Sequence, residues 1–244
     1  DAMESHLAES HIVRHMLLRS AYGNYQNIAA FEELRTAQSI NPNVGQYELG
    51  SFLAELGLLD RGLKELQRAL EIDPTNEAAQ AEIPNAYWYS ALYEQAIEEN
   101  LKLERSVPWA FWYYLGADRL AEAEKMIDEL AVRNPADRRA ATGRAWLLAR
   151  RGRYRDAQAL LPPVQSRKLL TYHHGAYVRA CIAALGSDTA NAVHWLKETV
   201  DTGMPVYPAF ARDKCFDPIR QTPQFSTFRA RLKPVWEDYE RRMQ

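Results

Sequence analysis

The chain has 244 residues, of which 47% are hydrophobic and 25% charged, and its formal net charge at neutral pH is −2. Because 30 basic residues nearly balance 32 acidic ones, the basic excess of a nucleic-acid-binding surface is missing, and direct nucleic-acid binding is not expected. No stretch reaches the ~18 consecutive apolar residues that a membrane-spanning helix needs, so no membrane span is expected either.

Prolines divide the chain into segments of similar length. Pro42, Pro74, Pro108 and Pro135 each follow an apolar-periodic segment, and the steps between them are 32, 34 and 27 residues. Because proline cannot continue a helix, each of them predicts the end of one helix before the next begins. Strand patterns with period-two alternation of Val, Ile and Thr hardly occur. A repeated helix–turn–helix unit is therefore predicted.

The unit from residue 43 to residue 76 shows the pattern most clearly. Leu49, Leu53 and Leu66 fall on the apolar stripes of its two predicted helices. Gly50 is small at the point where these helices would approach closely. Gly57 suits the left-handed conformation that closes a helix.

This unit resembles the 34-residue tetratricopeptide repeat (TPR). The residues at that family's large, small, large, turn, small, large, small and proline positions are Leu49, Gly50, Leu53, Gly57, Gly62, Leu66, Ala69 and Pro74. The other units match less closely, since Pro84 stands where the family prefers a small residue. The resemblance implies an all-α fold, a right-handed α-α superhelix of about six helix pairs. The predicted repeats cover approximately residues 7–42, 43–76, 77–108, 109–135, 136–167 and 168–203.

Residues 204–244 do not continue the repeat. Pro205 and Pro208 predict an extended hook that runs through Pro218, and an amphipathic helix follows from about Pro223 to Arg242. Because the outer apolar face of a terminal repeat has no neighbour, the hook and helix are predicted to cap the sixth repeat.

The C-terminal text also resembles a wider class of proteins. The matching residues are Gly203, Pro205, Pro208, Phe210, Asp213, Phe216, Asp217, Pro218, Arg220, Pro223 and Phe225. They are similar to the end of TPR regions that follow the effector domains of large bacterial signalling proteins, such as winged-helix regulators, serine/threonine kinases and nucleotide cyclases. This resemblance implies a regulatory or partner-docking role, although no effector domain lies within these 244 residues.

The sequence contains no motif that frames catalysis. Phosphate-binding loops, G-x-G-x-x-G and G-x-S-x-G are absent. Cys181 and Cys215 lack C-x-x-C spacing, so we expect reduced thiols in a cytoplasmic protein, with Cys181 in the core and Cys215 in a loop. His173 and His174 are adjacent on a helix and are expected to point in different directions, which disfavours joint metal ligation. We predict no catalytic residue, no metal, no cofactor and a protein that is not an enzyme.

Aromatic residues concentrate between residues 87 and 114. They surround their helices, so not all of them can face a core. In the TPR family the first helix of each repeat lines a concave groove. The groove positions implied by the resemblance are Tyr47, Ser51, Glu55, Asn85, Trp88, Tyr89, Trp112, Arg139, Trp146, Arg150 and His173.

The resulting hypothesis is a groove that binds an extended or helical peptide of a partner protein. Trp88, Trp112 and Trp146 would supply apolar anchors, and Arg139 and Arg150 would bind carboxylates. The alternative is a small-molecule sensor in which the aromatic cluster encloses a ligand. Homodimerisation through a terminal repeat or the final helix is compatible with the same pattern, because periodicity does not decide it.

Overall fold

The computed structural model describes residues 2–164, 166 and 172–244. Within them the regular structure is helical throughout, and no helix there is both long enough and apolar enough to cross a membrane. The helices are α1 (Ala2–Leu18), α2 (Asn27–Ile40), α3 (Gln46–Glu55), α4 (Leu59–Ile72), α5 (Glu77–Tyr89), α6 (Tyr93–Leu101), α7 (Phe111–Gly116), α8 (Leu120–Arg133), α9 (Arg138–Arg150), α10 (Tyr154–Leu160), α11 (Tyr172–Leu185), α12 (Thr189–Asp201), α13 (Tyr207–Arg212), a 3₁₀ helix (Lys214–Ile219) and α14 (Pro223–Arg242). The predicted boundary between the fifth and sixth repeats, at residues 167 and 168, lies outside the described residues.

Helices α1 to α12 form six consecutive pairs, and each pair packs against the next. The first helices of neighbouring pairs contact each other, as α3 does with α5, α7 with α9, and α9 with α11. They therefore share one face of the molecule, and the second helices lie behind them. This arrangement is the all-α helical solenoid that the sequence predicts.

Glycines allow the two helices of the second pair to touch. A Cβ atom added to Gly50 would lie 2.7 Å from Leu66 Cγ and 2.9 Å from Leu66 N. A Cβ atom on Gly62 would lie 2.9 Å from the backbone N of Ala54. Because α3 and α4 meet backbone to backbone here, a larger residue at either glycine would force them apart.

A left-handed residue reverses the chain inside several pairs. Gly57 and Gly152 have φ values of +79° and +75°, as expected for glycines that end a helix. In the third, fourth and sixth pairs the same role falls to Ala91, Asp118 and Ser187, with φ between 52° and 65°. The geometry of the turn is thus kept where the sequence offers no glycine, at a cost in backbone strain.

The segment after α12 folds back as predicted, but the prediction that it is extended is wrong. Most of residues 207–219 are helical, in α13 and the 3₁₀ helix. Pro208 is the second residue of α13, where a missing N–H leaves no helical hydrogen bond unmade. Asp213 then caps the 3₁₀ helix, since its Oδ1 accepts the N–H of Cys215 at 2.8 Å.

Helix α14 does more than cover the last pair. Its first half packs against α12 and α13, and its second half reaches the turn between α3 and α4. There the indole N–H of Trp236 donates to the carbonyl of Leu56 at 2.9 Å. The guanidinium of Arg61 donates to the carbonyls of Glu240 and Met243, at 2.9 and 2.7 Å. The C-terminal helix therefore connects the sixth pair to the second.

The sixth pair also contacts the first. The side-chain amide of Asn27 donates to the carbonyl of Gly203 at 3.4 Å, and a Cβ atom on Gly203 would lie 3.4 Å from the ring of Tyr25. The solenoid is thus closed on itself rather than open at both ends. Pockets lie on its inner face.

The two cysteines form a disulfide, which corrects the prediction of reduced thiols. Cys181 lies in α11 and Cys215 in the 3₁₀ helix, and neither side chain is exposed. Their Cα atoms are 5.2 Å apart although 34 residues separate them in sequence. The prediction that Cys215 lies in a loop is wrong, because residues 214–219 form the 3₁₀ helix, which packs directly on α11.

Candidate functional site: a pocket on the inner face of the solenoid

A pocket of about 370 Å³ opens between the first helices of the third to sixth pairs. We call it the inner pocket. Its walls come from α5, α7, α9 and α11, and residues 162–164 and Trp195 of α12 complete its rim. The pocket forms because stacking of the helix pairs places the inner faces of these four first helices side by side.

Helical spacing brings the lining residues of each helix onto one side. In α5, Glu82, Asn85 and Tyr89 are separated by three and four residues and all line the pocket. Trp109, in the turn before α7, and Trp112, in α7, are three residues apart and also line the pocket. Residues at these intervals share a helix face, so the local fold alone points them the same way.

A hydrogen-bonded network holds one wall of the inner pocket. The side-chain oxygen of Asn85 accepts from the indole N–H of Trp109 at 2.9 Å and from the hydroxyl of Tyr113 at 2.6 Å. Its amide N–H donates to Glu82 at 3.0 Å, and the Ser51 hydroxyl donates to the other oxygen of Glu82 at 2.9 Å. Burial raises the pKa of Glu82. The network holds the Trp109 ring in place, and the guanidinium carbon of Arg139 lies 5.7 Å from the centroid of that ring.

The remaining aromatic rings pack against each other. Trp112 is half-buried, with its ring 4.4 Å from Phe111 and 5.7 Å from Trp146, measured between centroids. Trp88 lies 5.7 Å from the imidazole of His174 in an edge-to-face arrangement. Rings locked by such neighbours lose little conformational entropy when a ligand binds.

Three arginines flank the pocket: Arg138, Arg139 and Arg179. Arg139 is paired with Asp137 at 2.6 Å. Arg179 lies 5.2 Å above the ring of Trp195, and burial lowers its pKa. Guanidinium groups nevertheless remain charged at neutral pH. Arg138 and Arg179 donate to the carbonyls of Pro163 and Pro162. Because the three guanidinium groups outnumber the nearby carboxyl groups of Asp137 and Glu82, this rim favours an anionic group.

A smaller cavity of about 180 Å³ adjoins the inner pocket and shares His174 with it. Glu55, His173 and Arg19 also line this cavity, which we call the histidine cavity. Burial, with a smaller contribution from the charge of Arg19, lowers the pKa of His173 from 6.5 to about 3. Burial likewise lowers the pKa of His174 well below its usual value. Both imidazoles are therefore neutral at neutral pH.

The predicted groove residues fall into three groups. Those that line the inner pocket are Asn85, Trp88, Tyr89, Trp112 and Arg139. Glu55 and His173 line the histidine cavity instead. Tyr47, Ser51, Trp146 and Arg150 line neither cavity.

Two residues of the third group have clear reasons to be elsewhere. Trp146 is fully buried, because it packs beneath Trp112, so it cannot contact a partner directly. Arg150 is the last residue of α9 and pairs with Asp118 at 2.8 Å, beside the turn between α7 and α8. Its guanidinium is therefore engaged away from the inner pocket.

Sequence reasoning missed several lining residues. Glu82 and Trp109 stand three positions before the predicted Asn85 and Trp112, so helical spacing could have found both. Trp195 belongs to a second helix, and no local signal indicates that it reaches the inner face. His174 was expected to point away from His173, yet their rings lie 4.4 Å apart and both approach Glu55.

No family model matches the chain, and no curated protein matches it. Among solved structures, the chain is similar to a tetratricopeptide repeat protein from Parabacteroides merdae, with 16% identity, 96% of this chain and 93% of that chain covered, and a TM-score of 0.47. It is also similar to a thermophilic TPR protein from Thermus thermophilus, with 16% identity, 93% and 98% covered, and a TM-score of 0.35. Likenesses at this level carry no conclusion about function, which rests on the pockets themselves.

Proposed function

We propose that the protein is a non-catalytic binding module whose inner pocket holds a peptide segment of a partner protein. The observation that supports this most directly is the composition of the pocket. Partly exposed indole rings of Trp109 and Trp112 stand beside the guanidinium groups of Arg138, Arg139 and Arg179. Tryptophan and arginine are the residues most enriched at the energetic centres of protein interfaces.

The chemistry of the pocket suggests what the peptide carries. A cavity of about 370 Å³ accommodates one or two large side chains, and its aromatic walls favour apolar or aromatic ones. Arg138 and Arg139 are exposed at the rim, where a carboxylate of a chain lying across the mouth can reach them. We therefore expect a short peptide in which a large apolar residue precedes or follows an acidic residue or a free C-terminus.

Selection from a random peptide library on the full chain, followed by calorimetry of the selected peptides, tests this proposal. Trp112→Ala and Arg179→Ala should each weaken binding at least about tenfold, as central interface residues do. Arg151→Ala is the matched control, because Arg151 is exposed and pairs with Glu124 outside the pocket. Circular dichroism confirms that each variant is folded. Peptides whose affinity is the same for the wild type and for both pocket variants would refute the assignment.

The alternative function, a small-molecule sensor, is favoured by one specific observation. The volume of about 370 Å³ lies within the range of about 300 to 1,000 Å³ that is usual for small-molecule pockets. A thermal-shift screen with metabolites and sugars distinguishes the two functions. A compound that stabilises the wild type, but not the Trp112→Ala variant, would support the sensor.

The setting of the module is also a proposal. The C-terminal resemblance supports a role in a bacterial signalling or transcription-regulating protein and thus a cytoplasmic location. The buried disulfide favours an oxidising compartment instead. Trapping of free thiols in freshly lysed cells decides between the two locations.

Self-association would use exposed apolar residues of α1, namely Leu7, Val13 and Leu17, and light scattering measures the oligomeric state.

A further inference from the structure

Three potential metal ligands converge in the histidine cavity. Glu55, the last residue of α3, faces His173 and His174 in the first turn of α11. The Nε2 atoms of His173 and His174 lie 3.9 and 3.6 Å from Glu55 Oε1, and the three ligand atoms are all within 4.8 Å of one another. Two helices that are remote in sequence thus place two nitrogens and one oxygen around a common point.

Neither of the two nitrogens has a hydrogen-bond partner within the described part of the chain. His173 is 5% exposed, and its Nε2 is buried without a partner there, as is the Nε2 of His174. A buried polar atom that makes no hydrogen bond costs about 1–3 kcal/mol, so such atoms need an explanation. Both nitrogens point to the same carboxylate oxygen from beyond hydrogen-bonding distance. A cation between the three atoms would satisfy all of them at once.

The atoms behind two of the three ligands, His173 and Glu55, already hold them in the required state. His173 Nδ1 lies 3.0 Å from the carbonyl of Thr202, a geometry in which Nδ1–H donates and Nε2 keeps its lone pair. This backbone contact is the usual outer-shell arrangement of metal-binding histidines. Arg19 bonds to Oε2 of Glu55, so Oε1 is the oxygen that faces the histidines.

We propose that Glu55, His173 and His174 form a binding site for one divalent transition-metal ion, with Zn²⁺ as the best-suited ion. Two imidazoles and one carboxylate are a ligand set that Zn²⁺ uses when a fourth position stays open. Bonds of about 2.0–2.1 Å to tetrahedral Zn²⁺ place the ligand atoms about 3.3 Å apart. Both imidazole nitrogens must therefore move closer to Glu55 Oε1 than their present 3.9 and 3.6 Å when the ion binds. The histidine cavity of about 180 Å³ leaves room for a water molecule as the fourth ligand.

The charge balance sets a limit on the affinity. Glu55 carries one negative charge, and the guanidinium of Arg19 offsets it while lying close to the ion. We therefore expect weaker binding than at a site whose carboxylate has no cationic neighbour. The position of His174 between the two cavities means that the bound ion lies next to the inner pocket.

The test uses the full chain without an affinity tag, treated with chelator and then titrated with Zn²⁺ in a calorimeter. One equivalent should bind, and Co²⁺ in its place should give the visible absorption of a tetrahedral complex. His173→Ala and His174→Ala should each lower the Zn²⁺ affinity at least about tenfold and abolish the Co²⁺ spectrum. The matched control is His194→Ala, since His194 is exposed on α12 and should leave both signals unchanged.

A second measurement guards against loss of folding in the variants. Zn²⁺ at 100 times its Kd should stabilise the wild-type protein by about 2.7 kcal/mol, whereas folded His173→Ala or His174→Ala protein should show no such shift. The proposal is overturned if the wild type binds Zn²⁺ no more tightly than both variants do, or if His194→Ala removes the binding. Peptide selection on the inner pocket gives an independent result, so failure of one proposal does not decide the other.

Discussion

Replacement of Gly50 by alanine tests the packing of the solenoid most directly, because a second glycine provides a matched reference. Gly175 lies in α11, and a Cβ atom added there meets no described atom within 4 Å. Alanine is favoured over glycine inside a helix by about 1 kcal/mol, and this gain applies at both positions. The difference in unfolding free energy between the two variants therefore isolates the packing term.

That packing term follows from the distances at Gly50. The new Cβ atom would lie 2.7 Å from Leu66 Cγ and 3.0 Å from the carbonyl oxygen of Gly62, against about 3.5–4.0 Å for ordinary contacts. Helices α3 and α4 must separate, and overpacking of this kind costs about 1–3 kcal/mol. Gly50→Ala should therefore melt about 2 to 12 °C below Gly175→Ala, since 1 kcal/mol corresponds to about 2–4 °C at this size. Gly50→Leu should be less stable still.

Thermal melts followed by circular dichroism, with urea denaturation at 25 °C as a second assay, measure this difference. Both variants should bind the same selected peptides if they are folded, apart from any effect of Gly175 as a lining residue of the inner pocket. Equal melting temperatures for Gly50→Ala and Gly175→Ala would refute the reasoning. That result would mean that α3 and α4 are farther apart than the structure places them.

Three further predictions concern the turns, the pH dependence and the disulfide. Gly152→Ala should lower the unfolding free energy by about 1–2 kcal/mol through backbone strain alone, since a Cβ atom there meets no atom of the described residues within 4 Å. Ala91 already has a positive φ, so Ala91→Gly should be neutral or stabilising in the same urea titration. Burial lowers the pKa of His15 from 6.5 to about 4, so the unfolded state takes up this proton first, and His15 alone should cost roughly 3 kcal/mol of stability between pH 6.5 and 4, in addition to the loss from the buried His173 and His174. His15→Gln should reduce this slope, and an unchanged slope would contradict the buried placement. The Cys181–Cys215 disulfide closes a loop of 34 residues, so its reduction should lower the unfolding free energy by about 3–4 kcal/mol. The double variant Cys181→Ala and Cys215→Ala should show the same loss without reductant.

The local features of the repeats were predictable because they depend on neighbours in sequence. Gly50 and Gly57 indicated a close helix approach and a left-handed turn, and both are present. Asn85, Trp88 and Trp112 were placed on the inner face by the TPR resemblance, and they line the inner pocket. Trp146 was assigned to the same face, but spacing alone cannot show that Trp112 lies over it.

The errors concern contacts between segments that are far apart along the chain. Pro205 and Pro208 suggested an extended hook, whereas proline at the start of a short helix satisfies the same backbone constraint. The disulfide between Cys181 and Cys215 depends on the 3₁₀ helix folding back onto α11. No periodicity records such a return of the chain.

The helix pairs and their turns could be inferred from the sequence alone, because they depend on residues only a few positions apart. Only the tertiary structure decided that the solenoid closes, that α14 reaches the second pair through Trp236, and that Glu55 meets His173 and His174. Closure depends on the summed rotation of six packed pairs, and a small change in each packing angle moves the ends by many ångströms. The inner pocket and the histidine cavity are products of that sum.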